Sequence, residues 1–376
     1  MQFARSKLPP VLLVLLASSC GGGSDSSTDA GAQAPLSVVV IGDSIAAGEG
    51  INYGYVYSTG FPNKWTGGSD NPVWQGNYQL CHDSVFAYGD VLAPMLSATL
   101  TKFACTGSTY DNGIAFDRRA DALFYRPAQF GNWLGMTNLN AQYDLAKPDV
   151  VIVTFGADDV SFADIVTFCA TGYTDANEVA ALGQLANPSQ QLRRNFARKF
   201  PTADAWQHRP PRALESSYCT AANPGAPINS LFWDPINSGQ ITGHYKDIVA
   251  AIQQRGTQAG KVPKIIFTTY HQPMPSPGQS DECLDLGDLE RGEINYLISL
   301  ENTLKSTLIA AVSGLNGVTI ADMSNVVQGH EYCTGDPWAY GLSVLLLNDD
   351  SLAPFHPTPA GQAAYAAVLK QSFASR

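Results

Sequence analysis

Positive charge is scarce in this chain. Its 376 residues carry 22 Lys and Arg against 33 Asp and Glu, a formal net charge of −11. A nucleic-acid backbone needs clustered cations, so the balance argues against a nucleic-acid partner. Long apolar runs are also missing. A bilayer crossing takes about 20 apolar residues, and no stretch provides them, so no transmembrane helix is expected. There is no C-x-x-C or H-x-x-x-H pair, which leaves a zinc site unsupported. No internal repeat is visible, and nothing in the composition implies a cofactor. What the chain does have is 45% hydrophobic residues, enough for a buried core, and a length that fits one large domain or two ordinary ones. It has seven cysteines, an odd number, so one should differ from the rest.

Residues 1–19 read as an export signal. Arg5 and Lys7 precede the apolar run Val11 to Leu16, and Ala17, Ser18 and Ser19 are small. Cys20 follows, where a bacterial lipoprotein is cut and lipidated, and residues 20–35 read as a flexible tether rich in Gly, Ser and Asp. Ordinary secretion is the alternative, because Ala17-Ser18-Ser19 also suits a general signal peptidase. The protein is therefore expected at the cell envelope on a lipid anchor, or free outside the cell. Thiols tend to pair there. Cys81, Cys105, Cys169, Cys219, Cys283 and Cys333 allow fifteen connectivities, of which sequential pairing is the simplest.

Beyond residue 35, apolar strand-like runs alternate with helical patterns. Leu36 to Ile41, Val150 to Phe155 and Ile265 to Thr269 are near-continuous, as buried parallel strands are, and Val318 to Ala321 is a weaker fourth. Ile294, Leu297, Ile298, Leu304 and Leu308 recur at helical spacing up to Gly314. Tyr245 to Gln254 and Ala360 to Phe373 also read as helices. The alternation predicts a three-layer α/β/α sandwich with a mostly parallel central sheet. Residues 36–376 are expected to form one domain, with insertions at about 51–80, which is rich in aromatics, and 170–243, which is rich in Pro, Asn and Ala. A basic patch at Arg193, Arg194, Arg198 and Lys199 reads as a solvated helix face.

The sharpest local signal is Gly42-Asp43-Ser44-Ile45-Ala46-Ala47-Gly48-Glu49-Gly50, directly after the first strand. Open α/β sheets bind ligands at the C-terminal ends of their strands, and glycines let a substrate approach the backbone. A capped βα turn is the plainer reading of the same residues.

This motif resembles the first block of the GDSL, or SGNH, family of serine esterases and lipases. Cys105-Thr106-Gly107-Ser108 resembles the second block, Gly156-Ala157-Asp158-Asp159 the third, and Phe355-His356-Pro357-Thr358 the block that carries a histidine. The surroundings of Cys81 are similar to the secreted actinobacterial lipase and esterase branch, which has three disulfides. The resemblance implies an SGNH-hydrolase, flavodoxin-like fold. It implies Ser44 as nucleophile, His356 as its base, and an oxyanion hole from the N–H groups of Ser44 and Gly107 with a side chain at position 158. The substrate would be a small-molecule or lipid ester, with no cofactor and a monomeric chain.

Two departures from the family pattern bear on mechanism. Asp158 stands where the family has Asn. An ionised carboxylate would repel an oxyanion about 3–4 Å away by roughly 4–5 kcal/mol at an effective dielectric near 20, so Asp158 is expected to be protonated or turned away. Three residues before His356, where many relatives have Asp, stands Ala353. Its backbone carbonyl could orient the imidazole, or Asp350 or Asp349 could do so after a loop bend. A binding module on a weakened esterase fold, and an acyltransferase using the same nucleophile, are the rival readings. Aromatics suit both acyl chains and sugar faces, so the sequence does not choose between a lipid ester and an acetylated carbohydrate.

Overall fold

A computed structural model describes residues 34–51, 84–111, 147–171, 219, 227–275, 289, 291–332, 334–341 and 355–374. Cys20, Cys81, Cys283, Cys333, Asp349, Asp350, Ala353, the basic patch and almost all of the 51–80 insertion lie outside them.

Five strands form one sheet. In chain order they are β1 (Ser37–Gly42), β2 (Thr99–Lys102), β3 (Val150–Thr154), β4 (Lys264–Thr268) and β5 (Val318–Ala321). Their spatial order is β2-β1-β3-β4-β5, and every pairing is parallel. The helices are α1 (Ser44–Ala47), α2 (Tyr88–Met95), α3 (Phe162–Thr171), α4 (Pro227–Asn237), α5 (Gln240–Gln258), α6 (Arg291–Val312) and α7 (Pro359–Ala374).

Alternation along the strands sorts side chains onto two faces. Val39, Ile41, Val151, Val153, Ile265 and Phe267 pack with Phe232 of α4, Tyr245 and Ile248 of α5, and Leu297 and Leu304 of α6. Val38, Val40, Val150, Ile152 and Ile266 pack with Leu92 of α2 and Tyr365 and Leu369 of α7. Each of the inner strands is therefore buried on both sides, which is why they read as unbroken Val/Ile runs. The expected three-layer sandwich is present.

Several boundaries differ from expectation. The stretch 170–243, expected as an insertion, carries α4 and the start of α5 at its end, and Phe232 and Ile241 of those helices are fully buried. Strand β2 was not anticipated. Helix α6 buries Ile294, Leu297, Leu304 and Leu308 of its predicted stripe, leaves Ile298 half-buried, buries Leu300 as well, and stops two residues before Gly314, whose φ is +79°. Among the described residues no helix is long and apolar enough to cross a membrane.

Candidate active site

The strand order reverses direction at β1, between β2 and β3, and the crevice beyond the strand ends at such a point is where open α/β sheets place ligands. Asp43 and Ser44 leave β1 there. Gly42 lets the two strands close up: a Cβ on it would lie 2.5 Å from the carbonyl oxygen of Thr154 on β3. The backbone N–H of Asp43 donates to that same carbonyl at 3.2 Å. Asp43 then caps α1, its Oδ1 accepting from the N–H of Ile45 at 3.0 Å. Ser44 is thus the first residue of a one-turn helix whose entry is fixed from both sides.

His356 arrives from the far end of the chain. Its Nε2 lies 2.7 Å from Ser44 Oγ, across a separation of 312 residues. Several contacts hold its loop. The N–H of Phe355 donates to the carbonyl of Tyr340 at 2.8 Å, and the N–H of Tyr340 donates to the carbonyl of His356 at 2.9 Å. Thr358 and Pro359 then open α7, with proline at the first helical position. From α7, Gln362 reaches back: its Nε2 donates to the carbonyl of Ile45 at 3.0 Å and its Oε1 accepts from the N–H of Tyr88 at 2.8 Å. The helix after the histidine is in this way tied to the turn that carries the serine.

The Gly107 loop lies beside the same turn, because the N–H of Cys105 donates to the carbonyl of Gly42 at 3.1 Å. Gly107 itself has φ +69°, a left-handed conformation that glycine adopts freely. The Asp158 loop leaves β3, the other neighbour of β1. Asp158 accepts through its backbone carbonyl from the N–H of Ser161 at 3.1 Å, and its Oδ2 is buried. The next residue, Asp159, joins the two loops: both of its carboxylate oxygens lie 3.1 Å from the N–H of Tyr110, and Oδ1 lies 3.3 Å from Nδ1 of His244. The His244 ring stacks on Tyr110 with centroids 4.0 Å apart. Burial pushes the Asp159 carboxyl up, against the His244 hydrogen bond.

Asp43 is fully buried. Its Oδ2 accepts a short hydrogen bond from the hydroxyl of Tyr270, which in turn accepts from the N–H of Ala157 at 3.0 Å. Burial pushes the Asp43 carboxyl up to about 7, although the Tyr270 and Ile45 hydrogen bonds pull it down.

The structure therefore brings Ser44 and His356 into hydrogen-bond contact and sets the Gly107 and Asp158 loops on the two strands flanking β1. Sequence reasoning gave no role to Tyr270, His271 or Gln362. The one signal that could have found Tyr270 and His271 is their position, immediately after the third long Val/Ile-type strand, on the ligand-binding edge of the sheet. Cys169 and Cys219 form a disulfide with Cα atoms 5.6 Å apart, and Cys105 is also disulfide-bonded. Among the described residues no cluster of three His, Cys, Asp or Glu could hold a metal ion.

Comparison with known proteins follows the same lines. The model of the GDSL-like lipase/acylhydrolase family matches residues 40–364. Lipase 1 of Streptomyces coelicolor is 33% identical over 80 residues, which is 21% of this chain and 27% of that protein. The chain thus matches only about a quarter of the length of this curated relative. Phospholipase A1 from Streptomyces albidoflavus NA297 is similar in structure, with a TM-score of 0.50 at 17% identity over 90% of this chain and 99% of that one. An extracellular lipase from Streptomyces rimosus aligns with a TM-score of 0.49 at 16% identity, over 90% and 99% of the two chains.

Proposed function

Because the chain belongs to the GDSL-like lipase/acylhydrolase family, we propose that it hydrolyses a carboxylic ester through an acyl-enzyme on Ser44, with His356 as base. Ester hydrolysis as a reaction class comes with family membership. The assignment of roles rests on one observation above all, the 2.7 Å contact between Ser44 Oγ and His356 Nε2.

A serine hydroxyl is a weak nucleophile until a base takes its proton. Here the proton moves from Oγ to Nε2 as Oγ bonds to the ester carbonyl carbon. The carbonyl π electrons go to oxygen, and the N–H groups of Ser44 and Gly107 stabilise that charge. Collapse of the tetrahedral species expels the alcohol, which takes the proton from Nε2. Water then repeats the sequence in reverse, with His356 again accepting a proton, and releases the acid and free Ser44. Ala353, through its carbonyl, or Asp350 turns the imidazole so that Nε2 faces the serine. No step needs a cofactor.

Asp158 takes the place of a neutral donor. In its protonated form it donates to the oxyanion and in its ionised form it opposes it, so it sets how much stabilisation the hole supplies. A binding module on the same fold is the rival that Asp158 favours. A panel of p-nitrophenyl esters of graded acyl length tests the reading. Wild type should hydrolyse at least one ester, Ser44→Ala should lose about 10⁴-fold or more, and Asp158→Asn should change both the rate and its pH dependence. A chain inactive on every ester, or a Ser44→Ala variant as active as wild type, would sink the proposal. The same panel, with an acetylated sugar added, separates a lipid ester from a carbohydrate ester.

Residues 1–19 direct export, and Cys20 carries the lipid anchor. The Cys169–Cys219 disulfide agrees with an oxidising compartment. Metabolic labelling with a radioactive fatty acid, lost in Cys20→Ser, checks the anchor.

A further inference from the structure

The last residue of β4 is Thr268, and the chain leaves it through Thr269, Tyr270 and His271. Two of these reach opposite halves of the site. Tyr270 holds Asp43, the cap of the Ser44 turn. His271 holds the loop of the base: its Nε2 lies 2.9 Å from the carbonyl oxygen of Phe355, the residue before His356. From these contacts we propose that His271 is a positioning residue, one that fixes the His356 loop through the Phe355 carbonyl and so sets the serine–histidine geometry. The proposal rests on the reading of Ser44 and His356 given above.

The tautomer follows from the surroundings. His271 is 3% exposed. Its own backbone N–H donates to the Tyr365 hydroxyl oxygen at 2.9 Å, which leaves the Tyr365 hydrogen free to point at His271 Nδ1, also 2.9 Å away. Nδ1 is then the acceptor and Nε2 carries the hydrogen that the Phe355 carbonyl receives. The opposite tautomer would set a lone pair against a carbonyl oxygen. Burial, and then the neighbouring His356, push the His271 imidazole down to about 3, so the ring stays neutral and this pattern is constant through the working pH range.

The carbonyl that His271 holds needs holding. Phe355 has φ +64°, a left-handed conformation that non-glycine residues avoid. Such a conformation persists only where its surroundings over-determine it. Tyr340 pins the Phe355 N–H, Tyr332 packs on the Phe355 ring with centroids 5.3 Å apart, and His271 supplies the side-chain contact to the Phe355 carbonyl. Rotation of the Phe355–His356 peptide would carry the imidazole off Ser44 first. His271, Phe355 and Tyr365 sit on three different elements, so the hydrogen bonds also lock α7 to the β4 exit.

The test is the rate constant for fluorophosphonate labelling of Ser44 in the full-length protein. Incomplete folding lowers the amplitude of labelling, whereas misplacement of the base lowers the rate constant of the folded molecules. His271→Leu should lower that rate constant about 10- to 100-fold, as a displacement near 1 Å does. His271→Gln, whose amide can donate at a similar reach, should stay within about threefold of wild type. Tyr365→Phe frees the tautomer while keeping the ring, and should fall between them. In ester hydrolysis the loss should appear in kcat with KM unchanged. A His271→Leu variant that loses amplitude alone, or a His271→Gln variant as slow as His271→Leu, overturns the positioning role. If His271→Leu does not fold, a Tyr365→Phe rate constant equal to wild type overturns it. A wild-type chain that is not labelled at Ser44 overturns the assignment of Ser44 itself, which is a separate and recognisable outcome.

Discussion

Asp43 is the residue next to the proposed nucleophile, and it is a buried acid whose proton is held to about pH 7 by loss of solvent. The sign of its effect on stability follows directly. Its carboxyl would ionise near 3.8 in the unfolded chain, so between about pH 4 and 7 the folded state holds more protons than the unfolded one. Stability from this group therefore falls as pH rises through that window and is level above it. Asp43→Asn removes the titration; its amide oxygen keeps the bond accepted from Ile45, while its amide N–H reverses the Tyr270 bond and donates to the hydroxyl oxygen, a change that is the same at every pH. Denaturant titrations at about pH 4.5 and 7.5 should show wild type losing stability relative to Asp43→Asn on the way up, by at most on the order of 4 kcal/mol. Equal pH slopes for the two proteins would mean that Asp43 is not a proton store. At this scale the sequence was readable where chemistry sits in a short motif. Ser44 follows a strand inside a glycine-rich turn, and His356 precedes a Pro-Thr helix start. Tyr270, His271 and Gln362 carry no such local mark. Their partners, Asp43, Phe355 and Ile45, lie 84 to 317 residues away in sequence, and only the folded chain brings them together.

Among the elements, β1, β3 and β4 were legible because both their faces are buried and each holds an unbroken apolar run, Val38–Ile41, Val150–Val153 and Ile265–Phe267. Edge strand β2, Thr99–Lys102, was not. Its sequence TLTK lacks the apolar run, and its buried Lys102 finds the Asp90 carboxylate and the Ser84 carbonyl, partners outside the strand. Helix α4 was hidden for the opposite reason: Pro227, Pro235 and two asparagines give it a loop-like composition, while tertiary burial of Phe232 and packing on the core make it a helix. The junction of β1 and β3 carries the sharpest test at this scale. Gly42→Ala would place a methyl 2.5 Å from the Thr154 carbonyl and 2.8 Å from Ala46 Cβ, and neither the backbone oxygen nor the one-turn helix can give way cheaply. The strand ends should part just where Ser44 is presented. The expected outcome is a loss of about 2–3 kcal/mol in thermal or denaturant unfolding, with ester hydrolysis reduced further than the folded fraction alone explains. Unchanged stability would show that the β1–β3 contact is looser than described.

Taken whole, residues 36–374 use one sheet to bring together Ser44 and His356, 312 residues apart. The order β2-β1-β3-β4-β5 puts the Gly107 loop, the Ser44 turn and the Asp158 loop on three adjacent strands, and β4 follows with the Tyr270–His271 brace. His356, in the turn that enters α7, reaches Ser44 at the same edge, while α7 itself packs on the face shared with α2. That order explains why motifs scattered over 300 residues could be read as one site, and why the acidic composition matters locally: Asp43, Asp158 and Asp159 all sit at the carboxyl edge of the sheet. The most direct measurement is mass mapping of a fluorophosphonate adduct on the full-length protein, run beside ester hydrolysis. The expected result is a single adduct on the peptide containing Ser44, with activity lost in step with labelling and both absent in Ser44→Ala. An adduct on another residue, or hydrolysis that survives complete modification of Ser44, would contradict it.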